Sequence, residues 1–248
     1  MNLVINWHPS ANKARQEEYS FCLQANLDNK FIDLVVVVLD KSDYQSFKAI
    51  EYKSFPNNKL RLVQFNYMAI RQKYRPTFQD MFAVANSFVA DNTTISIIAN
   101  SDIVFPDAGL IARNTSVDSV MCLTRYELHP KTNETYIHNW GVDAWVFEGH
   151  IKPNICSNYF MGQLGCDWLI CECLYNSGYK PFNPSLDIQT IHVHESTYRT
   201  YNKPQTKLPV LPFEWYIAPQ HLGEEPKRVY KPNSVKKAPK PAIRRRVL

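Results

Sequence analysis

Three carboxylates and a histidine pair stand out of apolar surroundings along this chain: Asp102, Asp143, Asp167, and His192 with His194. Asp102 closes the polar triplet Asn100-Ser101-Asp102, which interrupts an apolar run from Ile95 to Phe105. A short apolar run bounded by turn signals reads as a strand buried on both faces. Polar residues at its carboxyl end then lie where open α/β sheets place their ligands. A carboxylate there can hold a hard cation, and the cation can clamp a diphosphate. The triplet also fits a plain turn, with Asp102 opening it and Asn100 bonded to local backbone. Asp143, between Gly141 and Trp145, reads equally as a turn residue. Asp167 falls at the start of an expected helix, where N-caps and first-turn acids are favoured by the dipole. His192 and His194, two residues apart, share one side of a strand, as ligands or as ordinary strand-end histidines.

These groups need elements to hold them. Leu3 to Ile5 reads as a first strand, followed by Asn6-Trp7-His8-Pro9. Residues 13–27 have helical spacing, with Ala14, Tyr19, Cys22, Leu23 and Leu27 expected inward. Residues 31–39 read as a doubly covered strand, and Asp40-Lys41-Ser42-Asp43 breaks it. A third strand is expected over residues 60–65. Residues 77–89 read as a helix: Thr77 and Asp80 approximate a capping box, and Phe78, Met81, Phe82, Ala85, Phe88 and Val89 form a stripe. The run that carries Asp102 follows. This strand–helix–strand alternation predicts a parallel sheet with crossover helices. Beyond it come a short helix over 107–113, a strand over 119–126 and a polar loop over 128–139. A strand over 142–147 carries Asp143. A helix over 166–176 ends in Ser177-Gly178, a good C-terminal cap. The last strand is expected over 186–193.

With 248 residues the chain can bury a sizeable core, and 45% hydrophobic against 21% charged residues is ordinary for a soluble globular protein. The longest strongly apolar run, Leu34 to Leu39, is too short to span a membrane. The first residues lack the basic region and long apolar stretch of a signal peptide. Six cysteines, at 22, 122, 156, 166, 171 and 173, contain no C-x-x-C pair, so free buried thiols in a reducing compartment are expected rather than a zinc framework. A cytoplasmic protein is the reading. Charge is unevenly placed: from Pro226 onward there are nine Lys or Arg and no acid, leaving 19 basic against 23 acidic residues, a net of −4, in the remainder. The expected organisation is a main domain over 1–203, a proline-broken extension packing on it over 204–225, and a basic tail over 226–248 that is disordered in isolation.

The order of the motifs adds a further reading. Ile97-Ile-Ala-Asn-Ser-Asp-Ile-Val-Phe105, Cys122-Leu-Thr-Arg-Tyr-Glu127, Gly141-Val-Asp-Ala-Trp-Val-Phe147 and Gly165-Cys-Asp167 are followed by Gly178-Tyr179, Asn183-Pro-Ser-Leu186 and Ile191-His-Val-His194. The series resembles the GT-A class of nucleotide-sugar glycosyltransferases, and more closely a set of small glycosyltransferase-like proteins. The resemblance implies a GT-A-like, Rossmann-like α/β fold: a mostly parallel central sheet flanked by helices. It implies transfer of a sugar from a nucleotide-sugar donor to a hydroxyl acceptor, assisted by Mn²⁺ or Mg²⁺. The family's Asp-x-Asp motif is replaced here by Asn100-Ser101-Asp102, so only Asp102 carries over as the acid on the metal, with a histidine of the last strand, His194 before His192. Asp167 is implied as the base that deprotonates the acceptor in an inverting reaction. Asp143 is implied as an acceptor-facing or sugar-binding group. Arg125 would pair with a donor phosphate or with Glu127. Trp7 and His8 lie where such folds hold the nucleotide base, although Trp7 also reads as a core residue.

The basic tail suggests attachment to a polyanion, because Lys and Arg near phosphates release counterions. If that polyanion is nucleic acid, modified bases of DNA become candidate acceptors; an anionic membrane surface is the competing partner. Two rivals to the transferase remain. A nucleotidyltransferase or phosphohydrolase would call for more than one strong metal carboxylate near Asp102, where the sequence offers one. A non-catalytic module that binds sugar nucleotide or nucleic acid would tolerate the altered triplet.

Overall fold

The apolar runs of the chain become the strands of one seven-stranded sheet. The structure is a computed structural model that describes residues 1–48, 58–66, 75–128, 134–138, 141–194, 215–230 and 244–246. The sheet contains β1 (Asn2–Asn6), β2 (Leu34–Asp40), β3 (Leu60–Phe65), β4 (Ile95–Ala99), β6 (Ser119–Leu123), β9 (Ala144–Glu148) and β10 (Lys180–Phe182). Their order is β10-β6-β9-β4-β1-β2-β3. β1 runs parallel to both β2 and β4, β2 to β3, and β10 to β6. β9 is inserted antiparallel between β4 and β6. This is the mostly parallel, helix-flanked sheet expected from the alternation.

Alternate residues of each strand feed separate cores, as the two-residue period of a strand requires. Val4, Val36, Val38, Ile98 and Trp145 meet α3 (Phe78–Ser87) and α5 (Cys166–Asn176) on one face. Leu3, Ile5, Val35, Val37, Ile97 and Val146 meet α1 (Lys13–Asp28) and α4 (Ala108–Asn114) on the other. Two of the helices start at side-chain caps. Asn12 Oδ1 accepts from Arg15 N at 3.0 Å and opens α1. Thr77 and Asp80 complete a reciprocal capping box: Asp80 N donates to Thr77 Oγ1 at 3.2 Å and Thr77 N to Asp80 Oδ2 at 2.8 Å. A single turn, α2 (Tyr44–Phe47), follows β2.

A second sheet lies beside the first, in the order β14-β8-β7-β11-β5. It contains β5 (Ile103–Val104), β7 (Tyr126–Leu128), β8 (Glu134–Ile137), β11 (Ile191–His192) and β14 (Arg244–Arg246). Two expectations are corrected here. Within the polar loop expected over 128–139, Glu134–Ile137 form β8, which pairs antiparallel with β7; 129–133 and 139 lie outside the described residues. Thr135 and Ile137 face inward and Tyr136 outward, so the period of two outweighed polar composition. The long last strand over 186–193 shrinks to Ile191–His192. Asp187 N and Ile188 N both donate to Pro184 O, at 3.0 and 2.9 Å, and this turn uses the chain that the apolar pattern assigned to a strand.

β12 (Trp215–Ile217) and β13 (Arg228–Tyr230) form a two-stranded antiparallel ribbon. Trp215 packs edge-on against Tyr175 of α5, ring centroids 5.8 Å apart. Most of the expected extension and basic tail lies outside the described residues. All six cysteines are free; five are buried and Cys156 is exposed. Among the described residues no helix is long and apolar enough to cross a membrane.

Candidate active site

The short strands of the second sheet bring the polar residues together. β5 begins one residue after Asp102, and β11 lies between β5 and β7. In this register His192 faces Ile103 on one side and Glu127 on the other, and Val193 N donates to Asp102 O at 2.9 Å. Backbone pairing therefore sets the side-chain contacts. His192 Nε2 lies 3.0 Å from Asp102 Oδ2, and its Nδ1 lies 2.8 Å from Glu127 Oε2. His194, two residues on, stacks on the His192 ring, centroids 5.2 Å apart and planes 12° apart. The ligand atoms of Asp102, His192 and His194 all lie within 4.8 Å of one another.

The donor set fits a divalent cation. Asp102 Oδ1 is buried and accepts no hydrogen bond among the described residues. Glu127 engages the Nδ1 side of His192, which directs Nε2 toward Asp102 as a ligand position requires. One carboxylate and two imidazoles suit Mn²⁺ better than Mg²⁺, which favours an all-oxygen shell.

Arg15, from the first turns of α1, borders this cluster. It donates through Nη2 to Asp102 Oδ2, through Nη1 to Glu18 Oε2 at 2.7 Å and through Nε to the Tyr19 hydroxyl at 3.2 Å. Arg125 borders the other side. Its Nε donates to Glu127 Oε1 at 2.7 Å and its Nη1 to Asp143 Oδ2 at 2.8 Å. Asn100 Nδ2 in turn donates to Asp143 Oδ1 at 2.7 Å. One chain of opposite charges thus runs from Arg15 through Asp102, His192, Glu127 and Arg125 to Asp143. Each charge along this chain has a partner of opposite sign.

The pairing sets the protonation states. Burial favours the neutral carboxyl at Asp102, but His192 and Arg15 outweigh it and hold the group well below the usual carboxylate range. Burial acts the same way on Glu127, where His192 and Arg125 bring it down to about 2. Burial disfavours charge on His192, yet Asp102 and Glu127 lift it to about 9. His8 has no such partner. Burial, helped by Arg75, drops it to about 4, so its ring is neutral.

Asp167 lies in the first turn of α5, whose N-cap is Gly165 rather than Asp167 itself. Its Oδ2 accepts from Val142 N at 3.2 Å. Gly141 separates Asp167 from Arg125 and Asp143: a Cβ there would stand 3.4 Å from Asp167 Oδ2, 3.6 Å from Arg125 Nη1 and 3.9 Å from Asp143 Oδ2. Its φ of +107° also favours glycine. Burial, and then the charge of Asp143, push Asp167 up to about 6.

A cleft of about 250 Å³ gathers most of the expected residues: His8, Asn100, Asp102, Arg125, Asp143, His192 and His194 line it. Trp7 does not. It is 4% exposed and packs edge-on against Phe47, ring centroids 4.9 Å apart, so core packing claimed it. Ser101 is buried in the turn and contributes no lining surface. Asp167 is not among the residues of the cleft wall; it lies beside Gly141. Sequence reasoning missed Arg15 and Glu18 altogether, gave Tyr19 only as an inward residue of the first helix and Glu127 only as a partner for Arg125. Ala14, expected inward, is exposed, and Arg15 takes the inward place. The signal was present: 15, 18, 19, 22, 23, 26 and 27 follow the i, i+3, i+4 spacing, once charged residues are allowed on the inner face.

The chain matches no known protein-family profile and no curated protein. Among solved structures it is similar to the mannosyltransferase PcManGT from Pyrobaculum calidifontis, solved with GDP-Man and Mn²⁺: 12% identity, TM-score 0.48, covering 79% of this chain and 58% of that one. This chain thus spans little more than half of that protein's length. It is also similar to 4-diphosphocytidyl-2C-methyl-D-erythritol synthase from Anaerococcus prevotii, at 11% identity and TM-score 0.46 over 73% of this chain and 86% of that one. The catalytic domain of Drosophila β1,4-galactosyltransferase 7, complexed with xylobiose, matches at 11% identity and TM-score 0.42 over 92% and 91%. At these identities the likeness is one of fold.

Proposed function

We propose that this protein is a nucleotide-sugar glycosyltransferase that moves a sugar to a hydroxyl acceptor with the help of a divalent cation. The observation that carries the reading is one network. It links a cation-type cluster, Asp102, His192 and His194, to a carboxylate pair, Asp143 and Asp167, through Arg125. Mn²⁺ or Mg²⁺ bound at the first would supply Lewis-acid charge for a departing nucleoside diphosphate. Asp102 and the two imidazoles would hold that cation, and the guanidinium of Arg15 supplies positive charge beside it. Neutral His8 offers a flat face to a nucleotide base. Asp143, gripped by Arg125 and Asn100, is a fixed acceptor for sugar hydroxyls.

Asp167 is the base. At about 6 it is mostly ionised at neutral pH yet basic enough to take a hydroxyl proton as the acceptor oxygen attacks. The bond from sugar to diphosphate breaks, the bond from sugar to acceptor oxygen forms, and the proton ends on Asp167. The test is release of nucleoside diphosphate from a panel of sugar nucleotides with Mn²⁺. Wild type is expected to turn over one donor, and Asp167→Asn to bind that donor without turnover. Binding without turnover by wild type would replace this reading with the non-catalytic module.

The acceptor proposed is a modified base of DNA, with residues 226–248 as the attachment. Nine basic residues and no acid in this segment support it. DNA binding should weaken steeply with salt and disappear in a chain ending at 225. Equal binding by the shortened chain would remove the tail from the account.

A further inference from the structure

We infer that Glu127 is the positioning residue of the cation cluster: it fixes the tautomer of His192 so that Nε2 faces the cation, and Arg125 fixes Glu127. This rests on the cation-assisted reading above. The geometry of both carboxylate oxygens carries it. Oε2 lies 2.8 Å from His192 Nδ1, and Oε1 accepts from Arg125 Nε at 2.7 Å. Parallel pairing of β7 with β11 sets Glu127 and His192 in register, so the contact is built by backbone and not by a flexible side chain. An ionised carboxylate can only accept, so the ring nitrogen facing it must carry the proton. Nε2 faces the Asp102 carboxylate and so carries a proton too; that is the proton a cation would displace, leaving the lone pair on Nε2 while Glu127 keeps the other proton on Nδ1. Carboxylates placed on the far nitrogen of a ligating histidine also raise its basicity, and losing one typically costs about 10–100-fold in metal affinity.

Arg125 makes the arrangement selective. Its Nε–H demands an acceptor from the same carboxyl group that must accept from His192. Glu127→Gln offers only one acceptor oxygen. If Arg125 keeps that oxygen, the amide presents N–H to Nδ1 and forces the proton onto Nε2, which then cannot ligate. If His192 keeps it, two donors face each other at Arg125. The isosteric amide therefore damages the site with little change in shape.

The test titrates Co²⁺ alone into the full-length chain as wild type, Glu127→Gln and Glu127→Ala. It reads affinity by calorimetry and the paramagnetically shifted imidazole N–H proton by NMR. Wild type should bind and show one shifted N–H that exchanges slowly with solvent, since Glu127 holds it. Both variants should bind at least about tenfold more weakly and lose that protected proton. Glu127→Gln, with its native shape, keeps the test valid if Glu127→Ala melts below the working temperature. Unchanged affinity and an unchanged protected proton in Glu127→Gln would overturn the positioning role while leaving the cation site standing. No binding to the wild type would overturn the cation site and this inference together.

Discussion

Asp167 costs stability in order to serve as a base. Its folded pKa, about 6, lies above the ordinary carboxyl value of 3.8, so folding prefers the neutral form. The cost is absent below pH 3.8, grows as pH rises, and is complete above about 6. A shift of this size in a group with some solvent contact amounts to on the order of 2 kcal/mol. Asp167→Asn keeps an oxygen for Val142 N and removes the charge. It should therefore melt higher than wild type at pH 7.5, with the gap closing toward pH 4, while transfer is lost. Wild-type transfer should fall as pH drops through about 6, as the base becomes protonated. A melting temperature lower than wild type at pH 7.5 would contradict the burial argument. Asp102, Asp143 and the histidine pair were legible in sequence because polar residues interrupt apolar runs there. Arg15 was not, since a charged residue on an amphipathic helix ordinarily marks the solvent face. Its tertiary partner Asp102, with Glu18 three residues along the same helix, reveals it as an inner residue.

Elements of different length were legible to different degrees. The ten-residue α3 could be read almost to its ends, because Thr77 and Asp80 announce its start and Phe78, Met81, Phe82 and Ala85 its inner face. Phe78 packs edge-on against Trp145 of β9, ring centroids 4.9 Å apart. Thr77→Ala should cost about 1 kcal/mol by urea denaturation and leave Co²⁺ affinity unchanged. β5 and β11, two residues each, could not be read, since no periodicity fits in two residues. Yet they set the cation cluster, and a helix braces them. Asn26 of α1, 1% exposed, donates to Ile103 O at 2.8 Å. Asn26→Ala leaves that carbonyl unsatisfied at a cost of about 1–3 kcal/mol. Because Ile103 follows Asp102, this variant should also weaken Co²⁺ binding, which Thr77→Ala does not. Equal metal affinity in the two variants would show that α1 does not hold the cluster in place.

At the scale of the whole molecule, the topology decides where the cleft lies. From β1 the chain adds β2 and β3 on one side and then crosses to place β4 on the other. Parallel strands that part in this way open a crevice at their carboxyl ends. Asn6-Trp7-His8 and Asn100-Ser101-Asp102 lie at those ends, and both were placed correctly by strand–helix alternation alone. The antiparallel insertion of β9 was not readable, because a buried strand has the same composition in either direction. That insertion matters: it brings Asp143, one residue before β9, to within hydrogen-bond reach of Asn100.

On the proposed reading, a cation on Asp102 joins a nucleotide sugar to this cleft. A thermal-shift series of sugar nucleotides, with and without Mn²⁺, on wild type and Asp102→Asn tests it most directly. A ligand held only by the folded state at 100 times its Kd adds about 2.7 kcal/mol, or about 5–10 °C for a chain of this size. Such a rise is expected for one donor class, present only with Mn²⁺ and absent in Asp102→Asn. No rise with any donor, or an equal rise without metal and in the variant, would contradict it.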